Sequence, residues 1–471
     1  MSAHNRIIAW LQQAGVPYEI VHHQGATTLH QAAERCGIPA QQVARAVVLG
    51  DEHGTLLAVQ PLNHVINFAR LFVLVERKLE PVEREATRYI FPDSEPGCVP
   101  AIAEPFMLSA IVDDVLLAQE SVYLEAGSRR QLLRLSGEDF RYLHRRSIKG
   151  SFTSPAEQLR GEDREFVQQA AYAQRHGIRQ LRPVEGIRQQ LEELHRLPAM
   201  HPMGNQLLQL YHDPHASIAQ LVRVLETDPS ISAQLLRNAR SAYYNYPGEL
   251  DTLQQAVSQV LGFDYAVNTA LGITALRPFD LPIDGPLGMN SLWHHAIHCA
   301  VLTQSLSALL PRRLESRPEM AYLSALLHNF GFFVLGHLVK PEFFLLNRVV
   351  AANPNTPISL IEKRTLGISH TEVGGRLMAH WNMPEALQIA LREHHNENYQ
   401  GKHAIYPKLI MLSNTLLRRH GIGDGAEETP PPALLNALGL SQNQIEQALQ
   451  AHMAQAEHLE ELIHGMSRQA A

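Results

Sequence analysis

Leu326-Leu327-His328-Asn329-Phe330-Gly331 interrupts the most apolar part of this chain with two polar residues. Apolar runs lie on both sides of it, over 321–327 and 330–338, and each run is too short to span a membrane. The pattern therefore predicts core helices on either side of His328 and Asn329.

Nearly all of the chain after Leu197-Pro198 is expected to be helical, because its apolar residues recur at spacings of three and four. The stretch Ser217-Ile-Ala-Gln220 predicts a capping box, and Asp228-Pro229 combines an N-cap carboxylate with a proline at the first helical position. We predict a helical domain over 195–420. A flexible break and C-terminal helices are expected over 421–471.

Five histidines of this region are each expected near a helix and next to apolar core positions: His295, His328, His370, His394 and His395. A single buried histidine is usually a structural residue. Five that converge from separate helices indicate a metal site or the remnant of one.

The order of these histidines resembles that of the HD superfamily of metal-dependent phosphohydrolases. The resemblance rests on Trp293-His-His295, Leu326–Gly331, Gly367–Gly374, Trp381–Pro384 and His394-His395. It implies a site of His and Asp ligands for one or two metals. This chain, however, has Asn329 at the Asp of the signature pair, Asn414 at the last Asp, and Phe332 at a common Lys.

The two Asp-to-Asn differences bear directly on catalysis. A neutral amide does not offset the charge of two cations as a carboxylate does. We therefore expect no hydrolysis, no cofactor and no metal at this degenerate pocket, which comprises His295, His328, Asn329, His370, His394, His395 and Asn414.

The segment that precedes the histidines resembles the leading half of the HDOD domain, a relative of the HD phosphodiesterases. The matching residues are Leu197-Pro198, Asp228-Pro229, Leu235-Leu236-Arg237, Ser241-Ala242 and Leu261-Gly262. The resemblance implies an all-helical, non-catalytic interaction module of bacterial signalling.

The first part of the chain, over 1–150, is expected to be an α+β domain with a mixed sheet. Residues 46–49 and 56–59 predict a β-hairpin around Gly50-Asp-Glu-His-Gly54, and strands are also expected over 110–112, 122–125 and 131–135. The Gln-, Glu- and Arg-rich residues 151–194 predict a helical linker.

This first domain resembles the YbaK/ProX family of aminoacyl-tRNA deacylases. The resemblance rests on residues 38–49, Ala58-Val-Gln-Pro61, Phe91-Pro-Asp93, Pro96–Pro100, Val112-Asp113 and Ala126-Gly127. It implies a central lysine in the first long strand, but this chain has Arg45 there. Arginine stays charged and is a planar fork, so the proton-transfer role of a lysine does not carry over.

Two interpretations of Arg45 remain open: it binds a carboxylate or phosphate, or it points to solvent and pairs with a neighbouring acid. The other candidates of a deacylase-like pocket are Gly97, Asp113 and Gly127. The glycines are expected to serve backbone shape. Asp113 either lines the pocket or ends its strand as a turn residue.

The composition narrows the classes of function and of binding site that the chain can have. The formal net charge of −7 disfavours sequence-general DNA binding, and three cysteines without a CxxC pair encode neither a disulfide framework nor a thiolate zinc site. The N-terminus lacks a secretory signal pattern, so a cytoplasmic location is expected. We expect no membrane association and no sequence-specific DNA binding.

These observations predict a non-catalytic bacterial regulatory protein. Its HDOD domain would bind a signalling protein partner, and its deacylase-like domain would sense a small ligand or a tRNA acceptor end. Two enzyme alternatives remain: a metal-dependent phosphohydrolase acting on a cyclic nucleotide, and an aminoacyl-tRNA editing deacylase.

Overall fold

The computed structural model of the chain describes residues 3–23, 29–82, 84–95, 98–128, 130–155, 187, 200–277, 279, 285–353, 356–423, 429–459 and 463. The chain divides into two compact units. The described residues of the first unit extend to Pro155 and include 345–353 and 356–366 from later in the chain.

The first unit is built on strands whose side chains alternate between hydrophobic clusters on the two faces of the main sheet. Its strands are β1 (Glu19–His22), β2 (Val43–Asp51), β3 (Gly54–Pro61), β4 (His64–Ile66), β5 (Glu80–Pro81), β6 (Ser109–Asp113), β7 (Ser121–Glu125), β8 (Gln131–Ser136), β9 (Ile148–Gly150) and β10 (Thr153–Pro155). Its helices before residue 155 are α1 (Ala3–Gln13), α2 (Leu29–Arg35), α3 (Phe68–Val75), α4 (Arg84–Ile90), α5 (Asp114–Leu117) and α6 (Gly137–Leu143).

The main sheet is mixed, with strand order β1-β8-β7-β2-β3-β6-β9 and β5 paired to β2. Strands β2 and β3 form an antiparallel hairpin, whereas β2 pairs with β7, and β3 with β6, in parallel. Because successive side chains of a strand point to opposite faces, Ala46 and Val48 enter one core while Val47 and Leu49 enter the other. Arg45 shares the face of Val47.

The second unit is helical, as predicted. The helices after residue 200 are α7 (Pro202–His212), α8 (Ile218–Leu225), α9 (Pro229–Arg240), α10 (Leu253–Gln255), α11 (Phe263–Leu276), α12 (Met289–Ala308), α13 (Pro318–Leu327), α14 (Phe330–Leu338), α15 (Lys340–Ala352), α16 (Ile358–Thr365), α17 (His370–His380), α18 (Glu385–Glu393), α19 (Ile405–Arg418), α20 (Pro432–Leu438) and α21 (Gln442–Ala454). The last part of α15 and all of α16 belong to the first unit, and the other helices belong to the second. A π-helical turn, Ala256–Leu261, follows α10.

The predicted helix starts have the expected chemistry. Ser217 forms a full capping box with Gln220 at the start of α8. The side chain of Asp228 accepts hydrogen bonds from the backbone N–H groups of Ser230 and Ile231 at the start of α9. The predicted fold class, an α+β domain with a mixed sheet followed by an all-helical one, is confirmed.

The domain boundaries drawn from the sequence stay a prediction, and the structure adds two details. Strand β10 lies beyond residue 150 and pairs with β4, so the first unit continues into the segment predicted as linker. Most of that predicted helical linker, 156–186 and 188–194, lies outside the described residues. Residues 345–366 group with the first unit.

One helical stretch, Pro318–Leu338, is long and apolar enough by composition to cross a membrane. Within the fold, 89% of its apolar window is buried. Such burial is typical of a core helix of a soluble protein, as the sequence predicts for 321–327 and 330–338.

Candidate functional site

Six helices of the second unit bring the predicted pocket residues together. His295 lies on α12, His328 and Asn329 lie at the junction of α13 and α14, and Asn414 lies on α19. The other three histidines come from the start of α17 and the end of α18: His370, His394 and His395. His395 is half-buried and the other members are buried.

Asn414 lies between two of the histidines and uses both ends of its amide. Its Oδ1 accepts a hydrogen bond from Nε2 of His295 at 2.9 Å and one from the thiol of Cys299 at 3.1 Å. Its Nδ2 lies 3.4 Å from Nε2 of His328, which accepts because Nδ1 of His328 donates to the Ala325 carbonyl at 2.6 Å.

Asn329 extends this chain of hydrogen bonds at its other end. Its Nδ2 lies 3.3 Å from Nδ1 of His295, the nitrogen that remains an acceptor when Nε2 donates to Asn414. Donation therefore runs in one direction, from Asn329 through His295, Asn414 and His328 to the backbone. Each imidazole in the chain is neutral, with one donor and one acceptor nitrogen.

The remaining histidines form a second cluster. Nδ1 of His394 donates to the Leu391 carbonyl at 2.8 Å, so its Nε2 accepts from Nε2 of His370 at 3.2 Å. Phe332 stacks on the His370 ring with 4.1 Å between ring centroids. An apolar ring thus lies against the histidines where the HD resemblance implies a lysine.

Burial keeps several groups of the pocket uncharged. Desolvation, together with neighbouring imidazoles, holds the pKa of His328 and His394 well below the usual 6.5. Burial likewise holds the pKa of His395 well below that value. It raises the pKa of the Cys299 thiol to about 12. At neutral pH the imidazoles of His328, His394 and His395 are therefore neutral and the Cys299 thiol is protonated.

In the first unit, Arg45 lies on β2 and is 4% exposed. Its Nη2 donates to the carbonyl oxygen of Ala352 at 2.9 Å. Burial lowers the pKa of Arg45 to about 10, and the charge of Glu125 opposes that shift. The structure thus decides against the interpretation in which Arg45 points to solvent.

Asp113 is 1% exposed and its carboxylate is fully engaged. One oxygen accepts from the backbone N–H of Val115 at 3.0 Å and thereby caps α5. The other accepts from the hydroxyl of Thr153 at 2.8 Å and from the N–H groups of Thr153 and Phe152. Asp113 therefore joins the end of β6 to β10, which accords with a structural residue that ends its strand.

The two glycines of this pocket differ in what the structure says of them. Gly127 has a φ of 80°, a conformation that favours glycine, and its carbonyl accepts the N–H of Glu95 at 3.0 Å. It serves backbone shape, as predicted. Gly97 lies outside the described residues.

Comparison with known families accords with both geometries. The HDOD domain family matches residues 197–397, and the aminoacyl-tRNA editing domain family matches residues 23–143. Residues 197–397 are thus similar to HDOD domains and residues 23–143 to aminoacyl-tRNA editing domains, and we call these two regions the HDOD domain and the editing domain.

Known proteins are similar to parts or all of this chain. A crystal structure from Marinobacter aquaeolei VT8, described as that of a candidate signal transduction protein, is similar over 98% of this chain and 99% of its own, with 26% identity and a TM-score of 0.79. An HDOD domain protein of unknown function from Geobacter sulfurreducens covers 60% of this chain and 98% of its own, with 19% identity and a TM-score of 0.48. An uncharacterized protein of Treponema pallidum (strain Nichols) is 23% identical over 39% of this chain, which spans 34% of that relative's length.

The donor atoms of the HDOD domain do not fit the two-cation centre that the HD resemblance implies. Two groups of three residues have donor atoms within 4.8 Å of one another: His295, Cys299 and His328, and His370, His394 and His395. Neither group contains a carboxylate in the described part of the domain. A pair of divalent cations at these groups would therefore have no carboxylate to bridge them and offset their charge. The Cys299 thiol could bind only as a thiolate, and burial, which raises its pKa to about 12, opposes that deprotonation.

Cys299 is the member of this pocket that sequence reasoning missed. It was weighed only for disulfides and thiolate zinc sites, and it is a free, buried cysteine. Its position four residues after His295 on α12 places both side chains on one helix face, and that spacing could have revealed it.

In the editing domain, sequence reasoning missed the partner of Arg45. Ala352 is 307 residues away in sequence, and no local pattern marks it. It lies at the end of α15 and belongs to the same core as Val47, Leu49 and Ala58 of the sheet. The position of the family's lysine is thus in contact with another segment of this chain.

Proposed function

We propose that this chain is a non-catalytic regulatory protein of bacterial signal transduction. Its HDOD domain binds a protein partner, and its editing domain senses a small ligand or a tRNA acceptor end. The observation that carries the proposal is the hydrogen-bonded chain through Asn329, His295, Asn414 and His328.

The amide of Asn414 suits a pocket that works without metal. It must accept from His295 and also donate to His328, and an amide does both. An ionised carboxylate only accepts, so an aspartate at this position would leave the Nε2 lone pair of His328 free for a cation. With asparagine, that lone pair is already in use.

A non-catalytic role also accords with the editing domain. Arg45 carries no proton that it can exchange near neutral pH, even with a pKa of about 10. Its charge suits recognition of an anionic group. The full-length similarity to the Marinobacter protein supports a role in signalling, and we place the chain in the cytoplasm because its free cysteines suit a reducing compartment.

The proposal is tested by turnover assays on the purified full-length chain. Hydrolysis of cyclic mononucleotides and dinucleotides is measured with added Mn²⁺, and deacylation is measured with mischarged tRNA. We expect no turnover above that of a denatured sample. Turnover of either substrate class, reduced in a His328→Ala variant for the nucleotides or an Arg45→Met variant for tRNA, would refute the proposal.

A phosphohydrolase is the second candidate function. It is favoured by the two groups of three side chains whose donor atoms lie close enough together to bind a metal ion. The double variant Asn329→Asp, Asn414→Asp separates the two functions. If the pocket is only two carboxylates short of an active site, the variant gains metal and nucleotide hydrolysis. If the domain is an interaction module, the variant loses stability and gains no activity.

A further inference from the structure

The carbonyl end of a helix contacts a buried cation of the editing domain, Arg45. Helix α15 ends at Ala352, whose carbonyl oxygen accepts the hydrogen bond from Nη2 of Arg45. The last carbonyls of a helix lack intrahelical donors and carry partial negative charge. A guanidinium is therefore a well-matched partner for this helix end.

Two further side chains tie the same segment to the editing domain. Asn353 is fully buried, and its Oδ1 accepts from the N–H of Ile66 at 3.4 Å while its Nδ2 donates to the Val349 carbonyl at 2.8 Å. Arg348 lies over the ring of Phe68 at 4.1 Å and donates to the carbonyl of Leu79. The end of α15 is thus held by side chains on both sides of Ala352.

This segment comes from an unexpected part of the sequence. Residues 345–366 lie inside the range that the HDOD family matches, yet they pack within the first unit. The chain continues from Leu366 to Gly367 and then directly into α17, which begins at His370 of the histidine pocket.

We propose that Arg45 is an intramolecular latch, and this proposal rests on the proposed function. The hydrogen bond from Arg45 holds the end of α15 against the editing sheet. While α15 is bound there, a substrate cannot reach the position at which the family has its lysine. The editing domain is then autoinhibited in cis. Release of α15 uncovers the guanidinium, and the same release frees a segment that leads into the histidine pocket.

Hydrogen–deuterium exchange on the full chain tests the latch. The change is Arg45→Met, which keeps most of the side-chain volume and removes the donor to Ala352. Arg134→Met is the matched control, because Arg134 lies on β8 of the same sheet, half exposed, and pairs with Glu19. Loss of a buried, charged hydrogen bond should speed exchange over 345–353 by about tenfold or more in the first variant. Equal exchange in both variants and the wild type would overturn the latch.

Chemical modification of Arg45 provides a second readout that does not depend on changing Arg45 itself. Phenylglyoxal labels accessible guanidinium groups, and peptide mapping reports the labelled fraction at Arg45. The variant Arg348→Met removes the contacts with Phe68 and Leu79 and should raise labelling at Arg45 severalfold. A variant that exchanges faster over 345–353 while Arg45 stays unlabelled would show that α15 does not shield it. Neither readout depends on hydrolysis, so the latch and the proposed function fail separately.

Discussion

Asn414→Asp is the substitution that most directly perturbs the hydrogen-bonded pocket. It preserves the size of the side chain and replaces its Nδ2 donor with a second acceptor. The carboxylate still accepts the hydrogen bond from Nε2 of His295. Its second oxygen, however, faces the lone pair on Nε2 of His328, which lies 3.4 Å from Asn414 Nδ2 in the wild type. Asn414 is 5% exposed, so solvent does little to relieve this conflict.

The size of the effect follows from the lost bond and the buried charge. An unsatisfied buried acceptor costs about 1–3 kcal/mol of the free energy of unfolding. For a domain of this size, such a loss lowers the melting temperature by about 2–12 °C. A cation bound between the new carboxylate and the two imidazoles should restore part of that loss by mass action.

Thermal melts followed by circular dichroism measure this effect, in EDTA and again with added Mn²⁺ or Zn²⁺. We expect Asn414→Asp to melt below the wild type in EDTA and to gain stability with metal, while the wild type changes little. Asn398→Asp, at an exposed position of the same domain, is the control. If Asn414→Asp in EDTA is as stable as this control, the donor role of the Asn414 amide is wrong.

Three further predictions concern the other buried groups. The imidazoles of His298 and His452 share a 2.9 Å hydrogen bond, and burial lowers the pKa of His298 to about 3 and that of His452 to about 4. The unfolded chain takes up these protons near pH 6.5, whereas the folded chain does not. Below about pH 6.5 the free energy of unfolding should therefore fall by about 1.4 kcal/mol per proton for each pH unit, until the pKa values of the folded state are reached. Urea titrations from pH 7.5 to 5 measure this slope, which His452→Gln should reduce; an unchanged slope contradicts the assignment. A Gly331→Ala variant should lose about 1–3 kcal/mol of its free energy of unfolding in the same titration, because its Cβ would lie 1.9 Å from the His370 carbonyl oxygen. Near-wild-type stability would show that α14 and α17 separate easily. Arg45→Lys should gain no deacylation of mischarged tRNA, and measurable deacylation would revive the editing alternative.

Local chemistry made much of the fold predictable. The hairpin of β2 and β3, the strands β6 to β8, and the capped starts of α8 and α9 all follow from residues close together in sequence. The short strands β1, β4, β5, β9 and β10 were missed, because two to four residues carry too little periodicity. Thr153–Pro155 was even assigned to a helical linker.

The site was predictable in its members and unpredictable in its contacts. The family-type order of the histidines pointed to His295, His328 and His370, and the structure brings all of them into the two clusters. The direction of the hydrogen bonds through Asn414 depends on side-chain geometry that a sequence does not carry. The bond between Arg45 and Ala352 joins residues 307 apart, and only the folded chain reveals it.

Elemental metal analysis of the untagged, purified protein, reported per chain, tests the central claim most directly. A pocket in which Asn329 and Asn414 already engage the lone pairs of His295 and His328 should hold close to no transition metal, and addition of Mn²⁺ or Zn²⁺ followed by desalting should leave that value unchanged. One or two tightly held ions per chain would contradict a metal-free binding module and would favour the phosphohydrolase.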